Sequence, residues 1–216
     1  MKNIFITGGT GYIGSRLIKA LLKEDDLTIK ALVRKGSENK LPPGCEIVFG
    51  NALDAGSYKD KIEKGCIFIH LIGVAHPSPS KKDEFQKIDL VSIQEAVKAA
   101  IEAGVSHFIY LSVSMYPTKI MKDYQQVRAS GEQLLLNSNL KTSFIRPWYV
   151  LGPGHWWPLL LKPLFFILKL FPSKRQAAIE LNTVTIKQMI NTLVTAVKSS
   201  PTQNTIYTVQ KIRTMK

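Results

Sequence analysis

Residues 7–14 read TGGTGYIG, and this stretch decides the fold. Its glycines Gly8, Gly11 and Gly14 are spaced three apart between an apolar run and an amphipathic segment, as a strand–turn–helix unit requires. A glycine in such a turn adopts backbone angles that a Cβ disfavours, and it lets the main chain approach a pyrophosphate. The first turn of the helix then offers N–H donors and a positive dipole end to phosphate oxygens. The stretch predicts a dinucleotide-binding turn, with a tight turn that binds no ligand as the alternative.

Strand and helix signals alternate along the whole chain. Apolar runs predict strands over residues 2–7, 27–33, 46–49, 66–72, 107–111, 142–145 and 205–209. Amphipathic spacing predicts helices over residues 12–23, 85–103 and 123–137 and around residues 186–197. Strands joined by crossover helices imply a parallel sheet with helices on both faces, and ligands bind beyond the carboxyl ends of its strands. We therefore expect an α/β, doubly wound Rossmann fold over residues 1–216 as a single domain, with a short C-terminal substrate or lid region.

Composition and charge narrow the classes of partner. The formal net charge of +13 would suit nucleic acid, anionic lipid or phosphorylated ligands. The lysines are scattered, however, and neither zinc-finger spacing nor an aromatic RNA-binding signature is present, so we expect a small-molecule substrate and no nucleic acid. Cys45 and Cys66 form no CxxC pair, so we expect no metal site and a reducing compartment. The N-terminus begins directly with a strand, and a cytoplasmic location is expected.

The glycine-rich stretch resembles the fingerprint of the short-chain dehydrogenase/reductase superfamily, in its extended and atypical branches. The resemblance continues in order to about residue 154 and more faintly beyond it. The chain is shorter than typical extended members and is more similar to the atypical branch, which includes NmrA-like regulators and an accessory subunit of respiratory complex I. Some relatives there are reductases, and others bind a nucleotide without evident catalysis.

The end of the second predicted strand indicates which dinucleotide binds. A site that prefers NAD usually has an acidic residue there, which accepts hydrogen bonds from the ribose 2′-hydroxyl. This chain has Arg34, whose guanidinium suits the 2′-phosphate of NADP, with Lys35 adding charge and Arg16 as a weaker candidate. We therefore predict NADP(H) as the cofactor and NAD(H) as the less favoured one, with a solvated surface arginine as the alternative.

The resemblance implies further cofactor contacts at three strand ends. Relatives often carry Gly-Asp-x-x-Asp after the third strand; here Asn51 replaces the first acid, although its amide oxygen can still accept a hydrogen bond from adenine. Asp54 is equally consistent with a helix cap. His70, inside the fourth strand, is interpreted as a core histidine. The expected cofactor contacts are Thr7, Gly8, Gly9, Thr10, Gly11, Tyr12, Ile13, Gly14, Arg34, Asn51, Ala52, Leu53, Ile72, Gly73, Val74 and Pro147.

The family's active-site signature is a Tyr followed four positions later by Lys, on one face of a helix. This chain has Tyr124 and, at the position of the lysine, Arg128. The resemblance implies that Tyr124 is the general acid, that Arg128 holds the ribose and lowers the tyrosine pKa, and that Ser112 or Ser114 polarises the carbonyl. We favour Ser112 for the cofactor side and Ser114 for the substrate side. Exchanging Lys for Arg is not conservative, so a slow reductase, a retired site and a simple amphipathic helix remain open.

Residues 155–172 read HWWPLLLKPLFFILKLFP and have no assigned role. The stretch is too short for a comfortable membrane span and contains two lysines and two internal prolines. A pocket lid, a peripheral membrane contact and an oligomer interface are the three interpretations, and the oligomeric state stays open. The favoured function is an NADP(H)-dependent oxidoreductase that acts on a carbonyl or hydroxyl of a small apolar substrate. A non-catalytic NADP(H) sensor or complex-stabilising protein and a nucleotide-sugar epimerase or dehydratase are the alternatives.

Overall fold

The computed structural model describes residues 2–119, 121–156, 159–160, 163 and 170–215. Its strands are β1 (Lys2–Thr7), β2 (Leu27–Val33), β3 (Glu46–Phe49), β4 (Ile67–His70), β5 (His107–Leu111), β6 (Thr142–Ile145), β7 (Tyr149–Leu151), β8 (Thr183–Thr185) and β9 (Thr205–Tyr207). Its α-helices are α1 (Tyr12–Leu21), α2 (Val91–Ala103), α3 (Lys122–Leu136), α4 (Pro172–Glu180), α5 (Ile186–Lys198) and α6 (Val209–Thr214). A helical turn (Lys82–Glu84) and a π-helical turn (Phe85–Leu90) lead into α2.

The main sheet has the strand order β3-β2-β1-β4-β5-β6-β9, and all its neighbouring strands pair in parallel. This confirms the predicted α/β class with a doubly wound parallel sheet. The order reverses between β1 and β4, which is the switch point where ligands bind in such sheets. A small second sheet pairs β7 with β8.

Successive side chains of each strand point to opposite faces of the sheet, and they form one core layer on each face. In β1, Ile4 and Ile6 pack with α1 and α5 on one face, whereas Phe5 packs on the other face with Phe68 and with residues of α2. Both layers are fully buried at these positions. The same alternation makes every central strand apolar on both faces, which is why the strands read as continuous apolar runs.

Two predicted strands are longer than the observed ones. The strand predicted over 66–72 is wrong at its ends, because the ladder with β1 stops at the pair Thr7–His70, where β1 enters the glycine-rich turn. The strand predicted over 205–209 is wrong beyond Tyr207. There the hydroxyl of Thr208 accepts a hydrogen bond from the N–H of Lys211 and caps α6, which the sequence analysis missed.

Most of the apolar stretch 155–172 lies outside the described residues. Of its described side chains, Trp156, Leu160, Leu170 and Phe171 are exposed, and α4 begins at Pro172. Among the residues that the structure describes, no helix combines the length and apolar character that crossing a bilayer demands.

Candidate functional site: a dinucleotide crevice beside a buried ion pair

The glycine-rich turn forms a cradle that side chains would fill. Gly8 has φ +80°, and a Cβ there would lie 2.8 Å from the carbonyl carbon of Leu71. A Cβ on Gly14 would overlap the carbonyl oxygen of Gly8, so α1 packs against the turn at the distance that only glycine allows. Gly11 is the N-cap residue of α1, and no side chain of the described chain caps it. The first N–H groups of α1 are therefore available to an anion, which fits the pyrophosphate of a dinucleotide.

Three other residues of the turn, Gly9, Ile13 and Thr7, face the protein core. A Cβ on Gly9 would lie 2.9 Å from Cδ1 of Ile18, and Ile13 packs against the core layer below α1. Thr10 is half-buried in the turn. The hydroxyl of Thr7 lies 2.9 Å from Nδ1 of His70, so Thr7 turns its side chain into the core.

The carboxyl end of β2 carries the predicted cationic pair. Arg34 and Lys35 are exposed, and the guanidinium of Arg34 makes no hydrogen bond or ion pair with any described residue. Arg16, the weaker candidate, is already engaged: its Nη1 donates to the carbonyl oxygen of Tyr12 at 2.9 Å, and its Cζ lies 4.0 Å from the centre of the Tyr12 ring. Of the two guanidinium groups, that of Arg34 is therefore the one without a hydrogen-bond or ion-pair contact to another described residue.

Residues 51–54 fold into a tight turn beyond β3. The side-chain oxygen of Asn51 accepts a hydrogen bond from the N–H of Leu53 at 3.1 Å, so an adenine amino group would share this acceptor. Leu53 is 37% exposed, and Ala52 packs against the second core layer. The carboxylate of Asp54 accepts from the N–H of Gly56 at 3.0 Å and caps a short helical turn, which agrees with the cap interpretation.

His70 lies in the core, as interpreted from the sequence. It is fully buried, and its Nε2 lies 3.3 Å from the hydroxyl of Ser92. Burial, and secondarily the charge of Arg128, lowers the pKa of His70 to about 3. The imidazole is therefore neutral at physiological pH.

Arg128 and Asp89 form a buried ion pair at the end of β4. Nη2 of Arg128 lies 2.7 Å from Oδ1 of Asp89, and the two side chains are 3% and 0% exposed. Nη1 donates to the carbonyl oxygens of Ile72 at 3.2 Å and Leu111 at 3.0 Å, which ties the ends of β4 and β5 together. Burial raises the pKa of Asp89 above its ordinary value, and the guanidinium opposes this rise. Most of the donors of Arg128 are thus used inside the protein.

The nicotinamide end of the predicted site is built around this pair. The second carboxylate oxygen of Asp89 accepts from the N–H of Val74 at 2.9 Å. Gly73 is exposed, and a Cβ there would overlap Nη2 of Arg128, so the strand end must be glycine to accommodate the arginine. The structure therefore brings Ile72, Gly73, Val74 and Arg128 together, as the sequence predicts for a single site.

Asp89 is the residue that the sequence analysis missed. It lies four residues before Ile93, on the face that Ile93, Val97 and Ala100 present to the core. A carboxylate on a predicted core face needs a cationic partner, because an unpaired buried charge is too costly. A carboxylate at position 89 of a predicted core face therefore indicates a buried ion pair, and Arg128 could have been predicted as its cationic partner.

Tyr124 lies one helical turn before Arg128 on α3, as predicted. Its half-buried ring packs against Phe85 at 5.0 Å between centroids, and its centre is 5.2 Å from Cζ of Arg128. Ser112, the residue after β5, is 3% exposed, and its hydroxyl has no hydrogen-bond partner among the described residues. A buried hydroxyl without a partner needs an explanation, and a catalytic role is one such explanation.

The hydroxyl of Ser114, unlike that of Ser112, has a hydrogen-bond partner among the described residues. Its hydroxyl accepts a long hydrogen bond of 3.4 Å from the N–H of Tyr116. Its N–H donates to the carbonyl oxygen of the buried Pro147 at 2.8 Å, and its carbonyl oxygen accepts from Nε2 of Gln125 at 2.6 Å. Ser114 and Pro147 thus join the loops after β5 and β6. Within the described ranges, no group of three or more potential metal ligands comes together.

The comparison with protein families agrees with this geometry. The model of a family described as NAD(P)H-binding matches residues 8–152, which include the glycine-rich turn, the strand ends and α3. The chain belongs to this NAD(P)H-binding family. The resemblance to the short-chain dehydrogenase/reductase superfamily is confirmed at the same level, since reductases and epimerases of this kind are among the chain's relatives.

Individual relatives of this NAD(P)H-binding chain have diverse activities. It is 26% identical over 176 residues to a UDP-glucose 4-epimerase of Vibrio cholerae, covering 71% of this chain and 53% of the relative. It is 26% identical over 153 residues to a ceramide reductase of Caulobacter vibrioides, covering 70% of this chain and 47% of the relative. The chain thus spans about half the length of these two curated relatives.

Solved structures show the same fold. The Bordetella bronchiseptica enzyme WbmH in complex with NAD+ is similar with a TM-score of 0.71 and 20% identity, covering 96% of this chain and 75% of that one. The Thermus thermophilus UDP-glucose 4-epimerase in complex with NAD is similar with a TM-score of 0.71 and 17% identity, covering 98% and 81%. At such identities the likeness concerns the fold alone.

Proposed function

We propose that the chain is an NADP(H)-dependent oxidoreductase that interconverts a carbonyl and a hydroxyl group on a small apolar substrate. The observation that carries the proposal is the placement of Tyr124 beside Arg128, whose Nη1 donates to the carbonyl oxygen of Ile72, a residue that adjoins Gly8 of the cradle. An apolar substrate is favoured because the segment after β7 carries exposed apolar side chains, among them Trp156 and Leu160.

The residues present fit a bound NADP(H). The Gly8–Gly14 cradle would bind the diphosphate at the start of α1. Arg34 would bind the 2′-phosphate, and Gly73, which has no side chain, would leave space for the nicotinamide ribose. When bound, the nicotinamide supplies the hydride that such a reaction exchanges with the substrate carbon.

The acid–base chemistry belongs to this chain's own side chains. The hydroxyl of Tyr124 would donate a proton to the substrate oxygen during reduction and accept it back during oxidation. The hydroxyl of Ser112 would donate a hydrogen bond to the same oxygen, which increases the polarity of the carbonyl. We assign this role to Ser112, and no longer to Ser114 as the sequence analysis favoured, because the Ser112 hydroxyl has no partner among the described residues whereas that of Ser114 accepts from the N–H of Tyr116. Arg128, held by Asp89 and two carbonyl oxygens, would supply a fixed positive charge beside the ring of Tyr124.

Replacing Tyr124 by Phe tests this assignment. The purified protein would be screened with NADPH against medium-chain and aromatic ketones and aldehydes, following the loss of nicotinamide absorbance. We expect Tyr124→Phe to lower kcat at least 100-fold with little change in NADPH affinity, because general acid catalysis contributes about 10²–10⁴-fold. Tyr207→Phe, on the edge strand β9, is the matched control. Activity that survives Tyr124→Phe would refute the assignment.

Two other functions each have an observation in their favour. A nucleotide-sugar epimerase or dehydratase is favoured by the likeness to a UDP-glucose 4-epimerase, and NMR of UDP-sugars incubated with the protein would detect it. A non-catalytic NADP(H) sensor is favoured by the commitment of Arg128 to Asp89, and NADPH binding without turnover of any substrate class would support it.

A further inference from the structure

Three aromatic rings from separate parts of the chain are in contact. Tyr12 is the first residue of α1, His155 follows the small strand β7, and His76 follows β4. The Tyr12 and His155 ring centroids are 4.3 Å apart with the planes tilted by 55°, and the His155 and His76 rings are stacked with centroids 5.2 Å apart and planes 15° from parallel. We call Tyr12, His155 and His76 the ring stack.

The ring stack crosses the switch point of the sheet. Tyr12 directly follows Gly11 of the cradle beyond β1, and His76 lies three residues beyond Gly73 in the loop after β4. Since β1 and β4 are the neighbours between which the strand order reverses, a dinucleotide bound at this crevice would have its diphosphate beside the stack. His155 is the middle ring and therefore the link between the two sides.

The backbone around Gly152 packs closely against two rings of the stack, His155 and Tyr12. The N–H of His155 donates to the carbonyl oxygen of Gly152 at 2.7 Å, and a Cβ on Gly152 would overlap the hydroxyl of Tyr12. His76 has φ +49°, a conformation that is uncommon for a non-glycine residue.

We propose that the ring stack is a closure over the dinucleotide crevice, which must part before the cofactor enters or leaves. This proposal rests on the proposed dinucleotide binding and adds its regulation. His155 and His76 are then positioning residues: they limit the exchange of the cofactor and take no part in the chemical step.

The charges around the stack make the closure sensitive to pH. Arg16 on α1 lies over the ring of Tyr12, and Lys81 donates to the carbonyl oxygen of Ala75 beside His76. Burial, and then His76 and Arg16, lowers the pKa of His155. A proton on His155 is therefore disfavoured in the closed stack and accepted more readily in the open one. Acid pH should favour opening.

Stopped-flow binding of NADPH tests the closure. At pH 7.5, we expect His155→Ala to raise both the association and the dissociation rate constant about threefold to tenfold, the range for the loss of an aromatic contact. The dissociation constant should change less than either rate constant. His155→Phe keeps the stacked ring and should leave both rate constants near the wild-type values. His76→Ala, which changes an exposed side chain, should reproduce the effect from the other side.

The pH dependence separates a closure from a merely structural contact. With an ordinary imidazole pKa of about 6.5 in the open state, lowering the pH from 7.5 to 5.5 should raise the wild-type association rate constant by up to about tenfold. His155→Phe should show only the smaller rise that general steering of an anionic ligand gives. An unchanged association rate constant in both His155→Ala and His76→Ala overturns the closure alone. No binding of NADPH to the wild-type protein overturns the proposed function as well.

Discussion

Replacing Arg128 with Met leaves the carboxylate of Asp89 buried without its cation. Asp89 is 0% exposed, and its remaining hydrogen-bond donor among the described residues is the N–H of Val74. Breaking a buried pair by removing one partner costs about 3–5 kcal/mol in the free energy of unfolding. At about 2–4 °C per kcal/mol for a chain of this size, Tm should fall by roughly 6–20 °C. Urea denaturation followed by tryptophan fluorescence measures the change.

The double variant Asp89→Leu with Arg128→Met completes a double-mutant cycle on the buried ion pair. Replacing both charges by apolar side chains removes the unpaired charge, so most of the lost stability should return. The single variant Asp89→Leu should cost less than Arg128→Met, because the guanidinium keeps its two carbonyl acceptors. Lys59→Met breaks the exposed pair with Glu102 and is the control for loss of a surface cation. If Arg128→Met costs no more than Lys59→Met, or if the double variant is as unstable as Arg128→Met, the reasoning is refuted.

Three further predictions concern the cradle, the core and the site. Gly14→Ala should abolish dinucleotide binding measured by nicotinamide fluorescence, because its Cβ would overlap the carbonyl oxygen of Gly8; binding equal to wild type would contradict this. His70 and His107 have pKa values lowered to about 3 and about 4, mainly by burial. As the pH falls below about 6.5, these two imidazoles therefore take up protons in the unfolded chain before they do so in the folded protein. Their contribution to stability is present above that pH, and about 2 kcal/mol for each should be lost by pH 5, as urea titrations at several pH values would show. Ser112→Ala should lower kcat about tenfold or more while leaving Tm unchanged or higher, because a buried hydroxyl without a partner is removed; a lower Tm with normal kcat would assign it a structural role.

The main sheet could be predicted closely from the sequence. The observed bounds of β1, β2, β3, β5 and β6 equal the predicted ones, because these strands are short apolar runs that end in glycine, polar or charged residues. The small sheet of β7 and β8 escaped prediction, since three-residue strands show too little alternation to be recognised.

The parts of the site that lie within one sequence motif could be predicted. The parts that depend on contacts between residues far apart in the sequence could not. The cradle and the Tyr124–Arg128 spacing follow from local sequence, because glycine geometry and helical periodicity are local properties. The pairing of Asp89 with Arg128 and the stacking of His76 on His155 join residues 39 and 79 positions apart. Such contacts depend on how the strand order places the loops, which local patterns do not specify.

The measurement that tests the central claim most directly is an equilibrium titration of the purified protein with NADPH and with NADH, repeated on Arg34→Glu. The account predicts that the wild-type protein binds NADPH at least tenfold more tightly than NADH, and that Arg34→Glu removes this preference while NADH binding persists. Lys40→Glu, an exposed lysine in the following turn, makes the same change in charge and should keep the preference. Equal affinity for both dinucleotides in the wild-type protein, or binding of neither, would contradict the account.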